Sequence, residues 1–105
     1  DAAGEDGNFD AKVHALEKLD KKIPQILKLN PHTLVVAGDH ATPSILGSHS
    51  WHKVPFMIRS SSTKGDGVQD FSEKSMGTGS IGTIPATNAM LLSLAHADKL
   101  RRFGP

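Results

Sequence analysis

The chain has 105 residues, 12 Lys plus Arg against 11 Asp plus Glu for a formal net charge of +1, and no cysteine. This length suits one small domain with a modest core, and so even a charge balance argues against nucleic acid or an anionic membrane as the partner. The lack of cysteine excludes a disulfide framework, a thiolate nucleophile and sulfur-ligated zinc, no apolar run approaches the roughly 18 residues of a membrane span, and no signal peptide is visible.

The chain opens without an initiator Met on DAAGEDGNFD. It reads as cut from something longer; processing or a tag remnant would leave the same mark. Asp1 and Glu5 are four apart, so on one helical turn their carboxylates face the same way. Asn8 or Asp10 can cap the element that follows. From Asp10 to about Leu29 the apolar residues Val13, Leu16, Leu19, Ile23, Ile26 and Leu27 recur mostly at three- and four-residue steps, predicting a helix. Such a helix covers a sheet or meets a partner, with Lys18, Lys21, Lys22 and Lys28 on its solvated side. Pro24 either kinks it, or ends one helix near Lys22 and sits in the first turn of a second. Asn30-Pro31 stops the element.

Thr33–His49, TLVVAGDHATPSILGSH, is the stretch the rest of the chain points to. Its apolar start, about Thr33–Ala37, predicts a buried parallel strand, and Gly38 then breaks it before Asp39 and His40. Open α/β sheets place ligand-type side chains at such carboxyl ends. Carboxylate oxygen beside imidazole nitrogen suits Mn²⁺, Zn²⁺ or Fe²⁺ better than Ca²⁺. An isolated Asp-His pair is equally a turn cap and a surface histidine. The strand before the pair and His49 after it favour the ligand reading. Ala41–Ser48 has room for a helical turn, Thr42–Leu46. Val54–Ile58, ending in Arg59, predicts a second strand with Pro55 at its start or at an edge.

Ser60–Val68, SSSTKGDGV, reads as a surface loop or, from its hydroxyls, Lys64 and glycines, as a phosphate cradle; it matches no Walker-type loop. Asp70–Met76 has no clear period, and GTGSIGTIPAT from Gly77 predicts a turn-rich connector with Ile81 and Ile84 inward. Thr87 caps a final helix with Met90, Leu91, Leu94 and Ala95 on its apolar face, fraying at about Leu100–Arg102 before Phe103-Gly104-Pro105. His14, His32 and His96 sit in ordinary contexts. Ser44, Ser48, Ser50 and Ser60–Ser62 are hydroxyls without a nucleophile-elbow pattern. Two or three strands and two substantial helices give an α/β architecture whose apolar strands want more neighbours than the chain supplies.

The block TLVVAGDHATPSILGSHSWHKVPFMI resembles the C-terminal metal-binding segment of the cofactor-independent phosphoglycerate mutases, nearest their archaeal-type branch, within the alkaline phosphatase superfamily. The resemblance rests on Gly38-Asp39-His40, His49-Ser50 and Val54-Pro55. It extends to the opening, Asp1 through Gly7, and to the tail with Phe71, Glu73, Gly79 through Gly82 and the closing helix. It implies that residues 1–105 are the incomplete C-terminal portion of a three-layer α/β/α phosphatase-like domain. It also implies two divalent ions, Mn²⁺ first, with Zn²⁺, Co²⁺ or Mg²⁺ as alternatives. Asp39 and His40 would bind the ion that also contacts a nucleophilic serine, and Asp1 and His49 the ion nearer the substrate phosphate. Glu5 stands where the family pattern has a metal-binding His, and is taken as a ligand in its place.

The implied reaction interconverts 3-phosphoglycerate and 2-phosphoglycerate through a phosphoserine, in a cytoplasmic glycolytic enzyme. The nucleophile, remaining ligands and substrate-binding residues would lie in an N-terminal part of the same chain, so residues 1–105 alone are expected to be inactive. Two other readings stay open: a phosphatase or phosphodiesterase of the same superfamily, and a metal-binding domain that has lost catalysis.

Overall fold

The computed structural model describes residues 1–101 and divides into two compact units. The first contains Asp1–Asn30 and Gly38–Val54; the second contains Pro31–Ala37 and the chain from Pro55 onward. The predicted α/β character holds, as helices with a two-stranded sheet.

In the first unit, α1 (Ala2–Glu5) follows Asp1 as its N-cap. α2 (Phe9–Asp20) is capped by Asn8, whose Oδ1 accepts the Ala11 N–H at 3.0 Å. α3 (Ile23–Lys28) carries Pro24 in its first turn, so of the two readings around Pro24 the chain forms two helices. Asn30, at φ 50, ends α3 in the left-handed conformation that asparagine tolerates. α1 packs against α2. Lys18, Lys21, Lys22 and Lys28 are exposed, as expected, but so are Phe9, Leu16 and Leu19. The buried residues of this unit are Gly4, Ala41 and Thr42. Its packing centre is therefore where α1 meets the segment after the Asp-His pair.

In the second unit, β1 (Thr33–Ala37) pairs with β2 (Phe56–Ser60) in the register Thr33↔Ser60, Val35↔Ile58 and Ala37↔Phe56. This corrects the expectation of a parallel, buried strand. The pairing is antiparallel and the strand is half-buried. A parallel pair needs a crossover of a dozen or more residues, usually a helix. The Gly38–Pro55 connection holds turns and one isolated bridge, and brings the chain back antiparallel. β2 starts two residues later than expected, after Val54-Pro55, because proline has no N–H to give the ladder.

α4 (Glu73–Met76) is a short helix that the unperiodic Asp70–Met76 segment did not announce; Ser72 caps it by accepting the Ser75 N–H at 3.2 Å. α5 (Asn88–His96) has Thr87 at its N-cap position, without a side-chain capping bond, and packs on β1. Its inward face differs from the predicted one. Of the predicted face only Leu94 is half-buried, while Met90, Leu91 and Ala95 are exposed; Ala89, Leu92, Ser93 and His96 share the half-buried stripe with Leu94. Polar anchoring decides this rotation, since the Thr33 hydroxyl donates to the His96 carbonyl at 2.9 Å and Ser60 Oγ lies 3.0 Å from His96 Nδ1. The helix ends before the predicted Leu100–Arg102: Asp98 turns left-handed at φ 54 and the Lys99 N–H closes back on the Leu94 carbonyl at 2.9 Å. Arg102 and Phe103-Gly104-Pro105 lie outside the described residues. Among the described residues, no helix is long and apolar enough to cross a membrane.

Candidate metal centre

α1 is one turn long, and that turn brings Asp1 and Glu5 together. The Glu5 N–H donates to the Asp1 carbonyl at 3.0 Å, placing the two residues one above the other. The opposite wall is the loop after Gly38. There the Ser50 N–H donates to the Ala41 carbonyl at 3.0 Å in an isolated antiparallel bridge. Between these ends, a turn at Pro43 takes the Gly47 N–H at 3.1 Å, with Gly47 left-handed at φ 58. The bridge returns His49 to His40, whose rings meet edge-on with centroids 4.1 Å apart.

Asp1, His40 and His49 each offer one ligand atom within 4.8 Å of the others, and all three are exposed. His40 Nε2 lies 3.5 Å from Asp1 Oδ2 and 3.4 Å from Asp39 Oδ2. His49 Nε2 lies 3.7 Å from Glu5 Oε1. The loop thus brings all five sequence-selected residues into one chain of contacts. Asp39 is the most exposed of the carboxylates here. The His40 backbone N–H, donating at 2.9 Å, is the main cause that holds its pKa below the ordinary value, followed by its own backbone N–H and the His40 charge.

The donor set has the chemistry of a divalent cation site, with three carboxylates for charge and two imidazoles for softer nitrogen coordination. Two ligands each about 2.0–2.2 Å from a shared ion stand roughly 3–3.7 Å apart at ordinary coordination angles. The nitrogen–oxygen separations fall in or beside that range, so the residues present fit such an ion.

Thr42, which the sequence reading passed over, lies behind these residues. It is only 5% exposed. Its Oγ1 lies 3.0 Å from Asp1 Oδ1, 3.3 Å from His40 Nδ1 and 3.0 Å from His49 Nδ1. The Lys12 ammonium on α2 donates to its backbone carbonyl. A lone threonine in a turn-rich loop carries no periodic signal, and only its position between the donors reveals it.

The serines go elsewhere. Ser44 Oγ is buried without a hydrogen-bond partner, and Ser50 Oγ lies 2.6 Å from His52 Nδ1. In the second unit, Ser60 and Ser62 both bond His96 Nδ1, at 3.0 and 3.1 Å. Asp66 accepts the Ser80 N–H at 2.8 Å. In the SSSTKGDGV segment the Ser60 and Ser62 hydroxyls therefore turn to His96, and a carboxylate is clasped to the following connector.

Residues 1–96 match the Metalloenzyme superfamily. The chain belongs to that superfamily. It is 48% identical over 104 residues to a Thermotoga petrophila protein named "Probable 2,3-bisphosphoglycerate-independent phosphoglycerate mutase". Proteins of the same name from Aquifex aeolicus and Thermus thermophilus are 44% and 43% identical. Each match covers 99% of this chain but 26% of the relative, so the chain spans about a quarter of those proteins' length. Among solved structures, the PH0037 protein from Pyrococcus horikoshii superimposes with a TM-score of 0.91 at 28% identity, over all of this chain and 28% of that one.

Proposed function

We propose that the protein carrying this chain interconverts 3-phosphoglycerate and 2-phosphoglycerate through a phosphoserine, without free bisphosphoglycerate. Identity of 43–48% along 99% of the chain to proteins bearing that mutase name carries the reading. The donor cluster at Asp1, His40 and His49 is the chemistry such a reaction calls for.

The ligands are Asp1, Glu5, Asp39, His40 and His49. His40 and Asp39 serve one ion, with Asp1 beside His40; His49 and Glu5 serve the other, with Asp1 within reach. Mn²⁺ is the first choice, with Zn²⁺, Co²⁺ and Mg²⁺ as alternatives. Divalent ions here would neutralise the charge of the transferring phosphoryl group and of the oxygens that attack and leave it. This chain's own residues hold the ions and keep them open to solvent on the exposed side. None of its serines is assigned as the nucleophile. That group and the substrate-binding residues belong to an N-terminal part of the same protein, and residues 1–105 alone turn over no substrate. The domain is then the C-terminal portion of a phosphatase-like catalytic domain in a cytoplasmic glycolytic enzyme.

The test supplies the complete protein with 3-phosphoglycerate and Mn²⁺, omits bisphosphoglycerate, and couples 2-phosphoglycerate to enolase. Turnover lost on chelation and restored by Mn²⁺ is expected, with the chelator cleared before coupling because enolase itself needs a divalent ion. Release of inorganic phosphate without isomerisation would replace the mutase with a phosphatase. Two bound metals without turnover on any phosphate ester would leave a binding domain.

A further inference from the structure

We infer that Thr42 is a positioning residue that sets which nitrogen of His40 and of His49 faces the metal, and which oxygen of Asp1 does. The inference rests on the proposal that these residues hold divalent ions, because only an ion between the Nε2 atoms and the facing carboxylates lets each Nε2 present a lone pair there.

A threonine hydroxyl has one proton to give and two lone pairs to receive. Thr42 Oγ1 has three partners in reach: Asp1 Oδ1, His40 Nδ1 and His49 Nδ1, at 3.0, 3.3 and 3.0 Å. An ionised carboxylate can only accept, so the hydroxyl proton goes to Asp1. Both lone pairs then remain for N–H donors, and with each Nε2 given to an ion both histidines carry their proton on Nδ1. A neutral imidazole with Nδ1–H has its free lone pair on Nε2. His40 Nε2 is the atom that faces Asp1 Oδ2 and Asp39 Oδ2, and His49 Nε2 is the atom that faces Glu5 Oε1. With Asp1 Oδ1 occupied by the hydroxyl, Oδ2 is the oxygen left for the ion. One side chain thus turns three ligands the same way.

The hydroxyl is itself held in place. Thr42 is 5% exposed, so water does not compete freely for Oγ1. Its carbonyl receives the Lys12 ammonium, and a Cβ on Gly4 would stand 2.6 Å from that carbonyl oxygen, so α1 and the loop are in direct backbone contact here. Residues that receive the second N–H of a metal-bound histidine fix its tautomer and orientation, and losing one costs about 10–100-fold in metal affinity.

The test uses the complete protein, labelled with ¹⁵N-histidine and loaded with diamagnetic Zn²⁺. Nitrogen shifts and two-bond couplings should place the proton on Nδ1 of both His40 and His49. In Thr42→Val, which keeps the shape and removes the hydroxyl, part of the population of each ring should bind Zn²⁺ through Nδ1 instead and carry its proton on Nε2. Mn²⁺ affinity, read by calorimetry, should fall about 10–100-fold in Thr42→Val, while Thr42→Ser stays within about threefold of the parent. The tautomer measurement on the unmodified protein needs no variant to fold, and an Nε2–H pattern in either ring would overturn the assignment. Unchanged tautomers and affinity in Thr42→Val would overturn it as well. Failure of the unmodified protein to bind Mn²⁺ or Zn²⁺ would instead strike the metal reading, and this inference with it.

Discussion

The backbone of Gly4 runs so close to the Thr42 carbonyl that a Cβ on Gly4 would stand 2.6 Å from the oxygen and 3.0 Å from the Thr42 methyl. The obstacle is backbone as well as side chain, so it cannot be relieved by a rotamer change alone. Gly4→Ala gains helix propensity in α1 but must push the loop away. The expected net result is a loss of about 1–3 kcal/mol, measured as a lower denaturant midpoint in the complete protein. Displacing Thr42 should also weaken divalent ion binding. A variant as stable as the parent would mean that α1 and the loop do not approach as the structure has them.

Glu5 offers a second test. Its Oε1 lies 3.7 Å from His49 Nε2, and both side chains are about half exposed. If Glu5 is a ligand, Glu5→Ala should bind fewer metal equivalents, measured by elemental analysis after dialysis. Glu5→His restores a donor but exchanges charged oxygen for neutral nitrogen. It should keep the stoichiometry while shifting preference from Mn²⁺ toward Zn²⁺ in a competition titration. Full occupancy in Glu5→Ala would remove Glu5 from the ligand set.

The clasp between Asp66 and Ser80 predicts a pH response away from the donor cluster. The Ser80 N–H, then the Ser80 hydroxyl and the Val68 N–H, hold the Asp66 pKa below its ordinary value. A carboxylate whose folded pKa is depressed adds stability that is present above its unfolded pKa and is lost as pH falls through the folded one. The clasp should therefore be intact at neutral pH and persist through the ordinary carboxylate range. The Ser80 amide resonance should titrate with a midpoint below that range, and the titration should vanish in Asp66→Asn. A midpoint at or above the ordinary value would contradict the bonding.

His96 Nδ1 has two hydroxyls in reach, Ser60 Oγ at 3.0 Å and Ser62 Oγ at 3.1 Å, which also lie 2.9 Å from each other. Either can serve the ring when the other is lost. Ser60→Ala should cost about 1 kcal/mol, since Ser60 is buried, and Ser62→Ala less, since water can replace an exposed hydroxyl. The double variant should lose more stability than the two single losses summed. Strict additivity in thermal or denaturant unfolding would argue against a shared role.

Much of the local structure was legible in the amino-acid sequence, because its causes are local. Asn8 caps α2, Pro24 sits in the first turn of a separate helix, Thr33–Ala37 is a strand, and Asp1 and Glu5 share one turn. Each follows from a side chain acting on its own few neighbours or from an apolar period. The residues of the candidate site were selected on the same basis, from Asp39-His40 after an apolar strand, from His49 and from a resemblance. What the tertiary structure decided depends on contacts between distant residues. The antiparallel pairing of β1 with β2 depends on how residues 38–55 return, and the rotation of α5 on its polar bonds to Thr33 and Ser60. Thr42 is the clearest case. Hydropathy and spacing mark it as one more polar loop residue, yet it is buried with three donor side chains around its hydroxyl, because the Ala41–Ser50 bridge and the close approach of Gly4 enclose it.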